Sequence, residues 1–118
     1  MRLLAAFFLG LLFTVAYAEA GWCPGIDHTQ RNMGGFQSLT VGAAVTSLTL
    51  PTGANFAILN SDGAAIRYRD DGTDPTADVG HLMEDGESIL ICGTSLSRFR
   101  MIADTATSAT VQVSYYGN

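Results

Sequence analysis

The run Ala64-Ala65-Ile66-Arg67-Tyr68-Arg69 places Ala64, Ile66 and Tyr68 on one side and Ala65, Arg67 and Arg69 on the other. That period of two belongs to a half-buried strand and to no helix. The strand runs straight into turn chemistry. Asp71-Gly72 allows a positive φ, Asp74 can bond its own backbone, and Pro75 fixes φ and removes a donor. Two arginines on a strand thus feed a loop that holds Asp70, Asp71, Asp74 and Asp78. Such chemistry suits a structural or binding module better than an enzyme.

Around this element the chain is cut into short β segments. Strands are predicted at residues 36–41, 45–50, 56–60, 64–69, 81–83, 88–92, 99–103 and 110–116. Ser61-Asp62-Gly63 reads as a hairpin turn into the arginine strand. Ile89-Leu90-Ile91 reads as a strand buried on both faces or sitting at a sheet-to-sheet crossing. About eight strands at regular spacing, with no helical apolar period after Ala18, predict an all-β fold. The expected form is an antiparallel, jelly-roll-like β-sandwich over residues 36–118.

The amino terminus reads differently. Arg2 precedes an apolar run, and Ala16-Tyr17-Ala18 offers a small-x-small site. This order describes a secretory signal peptide, so residues 1–18 form a signal-peptide-like apolar helical segment. If it is kept, residues 3–18 supply a membrane contact, although about 24 Å of helix falls short of a comfortable span. Residues 19–35, punctuated by Gly21, Pro24, Gly25, Gly34 and Gly35, read as an irregular arm.

Charge excludes one class of partner. There is no lysine, and six arginines face eleven acidic residues for a net charge of −5. A nucleic-acid partner is not expected, because phosphate affinity rests on many Lys/Arg contacts. Cys23 and Cys92 lack zinc spacing. In an exported chain they form one disulfide; otherwise one is a buried thiol and the other a loop thiol. Asp27 and His28 lack the further ligands of a metal site.

Asp70, Asp71 and Asp74 invite a calcium reading, but their spacing departs from the twelve-residue helix-flanked loop. Aspartates in turns more often serve local backbone bonds, so no cofactor is expected. Arg67 with Arg69, and Arg98 with Arg100, read as two Arg-x-Arg pairs on strand faces. Their planar forks suit carboxylates, whether of the acidic loop or of a neighbouring copy. No nucleophile elbow, catalytic His/Asp spacing or phosphate loop stands out, so the chain is read as no enzyme.

The run Arg67-Tyr68-Arg69-Asp70-Asp71-Gly72-Thr73-Asp74-Pro75-Thr76-Ala77, followed by Val79-Gly80, resembles small virion-associated proteins of tailed bacteriophages. Gly86-Glu87, Phe99-Arg100-Met101-Ile102-Ala103 and Val111-Gln112-Val113-Ser114-Tyr115-Tyr116 are similar to that group's closing strands. The resemblance covers residues 36–116. It implies a non-enzymatic capsid decoration, cement or head–tail accessory protein, located in the virion. The implied partners are the major capsid or tail protein and the chain itself, as a homo-oligomer, expected to be a trimer. Arg67, Tyr68, Arg69, Asp70, Asp71, Asp74, Arg98 and Arg100 are the candidate assembly residues. The signal-like terminus departs from that group. It supports the alternative of a small exported binding module, periplasmic or on the cell surface, with a Cys23–Cys92 disulfide.

Overall fold

The computed structural model of the chain describes residues 31–32 and 35–117. The expected apolar segment 1–18 and nearly all of the arm 19–35 lie outside the described residues. In chain order the elements are β1 (Arg31–Asn32), β2 (Gln37–Val41), β3 (Thr46–Ser47), β4 (Ala54–Asp62) and β5 (Ile66–Arg69). Then come β6 (His81–Met83), β7 (Ser88–Cys92), the short helix α1 (Ser95–Arg98), β8 (Arg100–Ala103) and β9 (Ala109–Gly117).

The strands form two antiparallel sheets. In the first, the order is β1-β9-β4-β7, with β2 following β1 along the same side of β9. In the second, the order is β3-β8-β5-β6. The pairings nest. β5 pairs with β6, β4 with β7, β3 with β8 and β2 with β9, so each pair encloses the one before it in sequence. Two further ladders, β4 with β9 and β5 with β8, join these pairs side by side.

Alternation decides which residues go inside. Along β9, Ala109, Val111, Val113 and Tyr115 are buried, and the residues between them are partly exposed. Ala57, Leu59 and Ser61 of β4 face the same way. Ala57 and Leu59 form one cluster with the buried β9 residues and with Val41, Ile66, Met83, Ile91, Phe99 and Met101, so both sheets contribute to a single core. Each fully buried Leu or Ile side chain stabilises the fold by roughly 1.5–3 kcal/mol. Buried Ser61 is satisfied, its hydroxyl donating to the Ala64 carbonyl at 2.7 Å.

Three sequence expectations need correction. Residues 61–63 do not close a hairpin, because β4 lies in the first sheet and β5 in the second. Gly63 at φ +92° turns the chain across, and the β4 side of that turn is held by Ser61, whose amide donates to Glu87 O and whose carbonyl accepts from Gly86 N. Among the described strands β7 lies at the edge of the first sheet, and only Ile91 of its residues is buried. Arg98, expected on a strand face, ends α1 instead, and Leu96 anchors that helix in the core.

Candidate functional site

The loop between β5 and β6 carries the unusual chemistry, and its shape follows from a few local bonds. Asp71 organises the near side. Its Oδ1 accepts from the Thr73 amide at 3.1 Å and from Arg69 Nε at 3.1 Å, and its Oδ2 accepts from an Arg69 terminal nitrogen. Arg69, first, and the Thr73 amide hold the Asp71 carboxyl down at about 2. The same hydrogen bond raises the Arg69 guanidinium above its ordinary value. Gly72 follows at φ +84°, as the Asp-Gly turn requires.

Thr76 closes the far side. Its hydroxyl oxygen accepts from the amides of Asp78 at 3.2 Å and Val79 at 2.9 Å. Its own amide donates to Val79 O at 2.9 Å. Pro75 is buried beneath this turn. Gly80, at φ +143°, comes so close to β5 that a Cβ there would lie 3.0 Å from Tyr68 O and 3.2 Å from Pro75 Cβ. Only glycine fits.

Arg67 ties the loop to the second sheet. Its Nε donates to Asp104 Oδ1 at 2.7 Å, and Nη1 donates to the Gly80 carbonyl at 3.1 Å. On the opposite face of β5, the Tyr68 ring packs 5.2 Å from Phe99 and 5.3 Å from His81. Burial, then the charges of Asp70 and Glu87, raises the Tyr68 hydroxyl above its ordinary range. An open depression of about 300 Å³ lies at this end, lined by Arg69, Asp70, Asp71, Val79, Gly80 and His81.

The predicted arginine pairs are not equivalent. Arg67 and Arg69 do share one face of β5, as the alternation requires. Arg98 and Arg100 do not form a strand pair. Arg98 ends α1, with its stem against Gly72, and Arg100 opens β8 opposite Arg69. One Arg100 terminal nitrogen is taken locally by the carbonyls of Ser97 at 3.2 Å and Phe99 at 3.0 Å. The cause is Leu96, whose burial bends residues 95–98 into a helical turn before the strand resumes. The fold therefore gathers Arg69, Arg98 and Arg100 beside Asp70 and Asp71, while Asp74 stands exposed on the loop. Among the described residues, no three His, Cys, Asp or Glu side chains gather as metal ligands.

Two partners in this site carry no sequence signal. Asp104 sits in a polar stretch that reads as a break, and only the β5–β8 register brings it to Arg67. Phe99 precedes β8 and reads as one more core residue, yet it packs the Tyr68 ring. Cys92, at the end of β7, is disulfide-bonded. Cys23, the chain's other cysteine, lies outside the described residues. No family model, curated protein or solved structure matches the chain.

Proposed function

We propose that this chain is a non-enzymatic structural protein of a phage particle, a capsid decoration, cement or head–tail accessory. The observation that supports it is the nested strand order, β2-β9-β4-β7 over β3-β8-β5-β6. We read that order, rolled up, as a jelly-roll-like sandwich, an architecture that recurs in viral shell proteins. The loop adds a surface suited to contact. The ion-paired Arg69 and Asp71, with Asp70, line one depression together with Val79, which is 53% exposed. Neighbouring copies, as a trimer, and the capsid or tail surface are its partners. Arg69, Asp70, Asp71, Asp74, Arg98 and Arg100 face them, with Arg67 and Tyr68 holding the loop in place.

A second reading has its own support. A disulfide at Cys92 points to an oxidising compartment and hence to an exported β module. Mass spectrometry of gradient-purified particles from an expressing culture separates the two. Peptides of this chain at a stoichiometry near that of the shell subunits support the virion reading. Their confinement to the periplasmic or cell-surface fraction overturns it.

A further inference from the structure

Residues 32–61 carry no Asp, Glu, Lys or Arg, in a chain whose net charge is −5. This uncharged stretch supplies β2 and β3, which lie at the outer ends of the two sheets among the described strands. Phe36, 61% exposed, and Val45, 37% exposed, flank β2 in sequence. β2 lacks the devices that blunt a sheet edge. It holds no charge and no proline, and its register with β9 runs unbroken from Gln37 to Val41. The direction of its backbone groups follows from the neighbouring strands. Ser61 N donates to Glu87 O and Gly93 N donates to Asn55 O, so odd-numbered residues of β4 turn to β7 and even-numbered ones to β9. Carried across β9, that alternation turns Gln37, Leu39 and Val41 toward β9. The amides and carbonyls of Ser38 and Thr40 therefore face outward, and no strand among the described residues receives them.

We propose that the β2 edge pairs antiparallel with the β2 edge of a second copy, so that two first sheets join across a two-fold axis. Copies that each carry −5 repel one another, and the flank free of charge is where they meet at least cost. Within β2, the register that uses every outward group centres the axis on Leu39. Ser38 then lies opposite Thr40 of the second copy, and Thr40 opposite its Ser38, each pair exchanging both backbone hydrogen bonds. Their hydroxyl side chains, exposed on the outer face, sit side by side, a favoured cross-strand pairing. Leu39, partly buried against the core, meets Leu39 of the second copy, which covers what remains exposed. The acidic loop lies between β5 and β6, at the opposite end of the second sheet from β3. The edge contact is therefore separate from the loop, stands without the virion reading, and doubles whatever assembly the loop builds.

Sedimentation of the full chain reads this contact as mass. Thr40→Pro removes one outward amide and leaves the β2–β9 ladder its bonds, so it should halve the parent's mass while far-UV circular dichroism keeps the β signal. Ser38→Lys with Thr40→Lys tests the same edge without a proline. Both side chains stand on the exposed outer face, and like charges across the axis should halve the mass again. In the parent, the Ser38 and Thr40 amides should exchange with solvent slowly at high protein concentration and quickly on dilution. A mass that stays at the parent's value in both variants overturns the edge contact. So do Ser38 and Thr40 amides that exchange equally fast at both concentrations.

Discussion

Arg67 and Asp104 form a part-buried ion pair, Nε to Oδ1 at 2.7 Å, that joins β5 to the residue following β8. The same guanidinium also donates to Gly80 O, so one side chain fastens both the end of β8 and the acidic loop. Its two charges are each about a quarter exposed, which makes screening by salt incomplete. Arg67→Ala should cost about 1–2 kcal/mol in urea unfolding, and Asp104→Ala about 1 kcal/mol. The double variant should cost less than the sum of the two, because one interaction is removed twice. Strict additivity would show that the pair carries no coupling.

The two loop glycines should respond differently to the same change. At Gly72 an added Cβ meets only the Arg98 stem at 3.8 Å, so Gly72→Ala costs the backbone penalty of φ +84° alone, about 1 kcal/mol. Gly72→Val should add to this through its branched Cβ. At Gly80 the Cβ would also meet the Tyr68 carbonyl at 3.0 Å. Gly80→Ala should therefore lower Tm clearly more than Gly72→Ala does. Equal melting of the two alanine variants would contradict the close approach.

Tyr115 sets an alkaline limit. Burial pushes its hydroxyl up to about 12, and in the fold that hydroxyl donates to Gln37 Oε1. The folded state prefers the protonated phenol. Its contribution is therefore complete below the unfolded value near 10 and is lost as pH rises toward 12. Tyr115→Phe should cost about 1 kcal/mol at neutral pH, leaving Gln37 Oε1 with the Thr49 amide at 3.3 Å. It should also remove most of the stability loss between pH 10 and 12. A variant that loses stability over that range as steeply as the parent would assign the limit elsewhere.

Asp71 acts in the opposite direction. Its carboxyl is held down at about 2 by Arg69 and the Thr73 amide, so the folded state prefers the anion. The benefit is present above the unfolded value near 4 and disappears as pH falls through about 2. Because the site is exposed, the effect should show as altered amide exchange at Thr73 before any global transition. Asp71→Asn should show that exchange already at neutral pH. A Thr73 amide equally protected in parent and variant would remove Asp71 from its role in the turn.

Cys92 carries a stability term of a different origin. Breaking its disulfide by Cys92→Ser should cost about 2–4 kcal/mol, chiefly by freeing the unfolded chain. Scanning calorimetry of the variant beside the reduced parent should give matching Tm values. A large gap between them would locate part of the cost in the serine itself.

The strands were legible in the sequence wherever a local period exists. Ile66 and Tyr68 against Arg67 and Arg69, and Val111, Val113 and Tyr115 against Gln112 and Ser114, separate the faces as alternation requires. Their pairing was not legible. Ser61-Asp62-Gly63 has the chemistry of a hairpin turn, and nothing local tells a turn within a sheet from one that crosses to another. Arg98 looks like Arg100 two positions on, and only the burial of Leu96 moves it off the strand. The Asp71-Gly72 turn was visible because its chemistry is contained in adjacent residues. The Arg67–Asp104 pair was not, because register across the second sheet creates it.

The enclosing order of the ladders also dictates when the molecule can exist at all. β9, which follows the other described strands in the chain, lies in the interior of the first sheet, between β4 on one side and β1 and β2 on the other. Until its nine residues leave the ribosome, β2 lacks its ladder partner and, among the described strands, β4 pairs with β7 alone. Every shorter nascent chain therefore displays open backbone edges beside uncovered Leu39, Val41, Ala57 and Leu59. Folding is an event that follows the synthesis of β9. A premature stop before Ala109 would yield an aggregating chain and no smaller working domain.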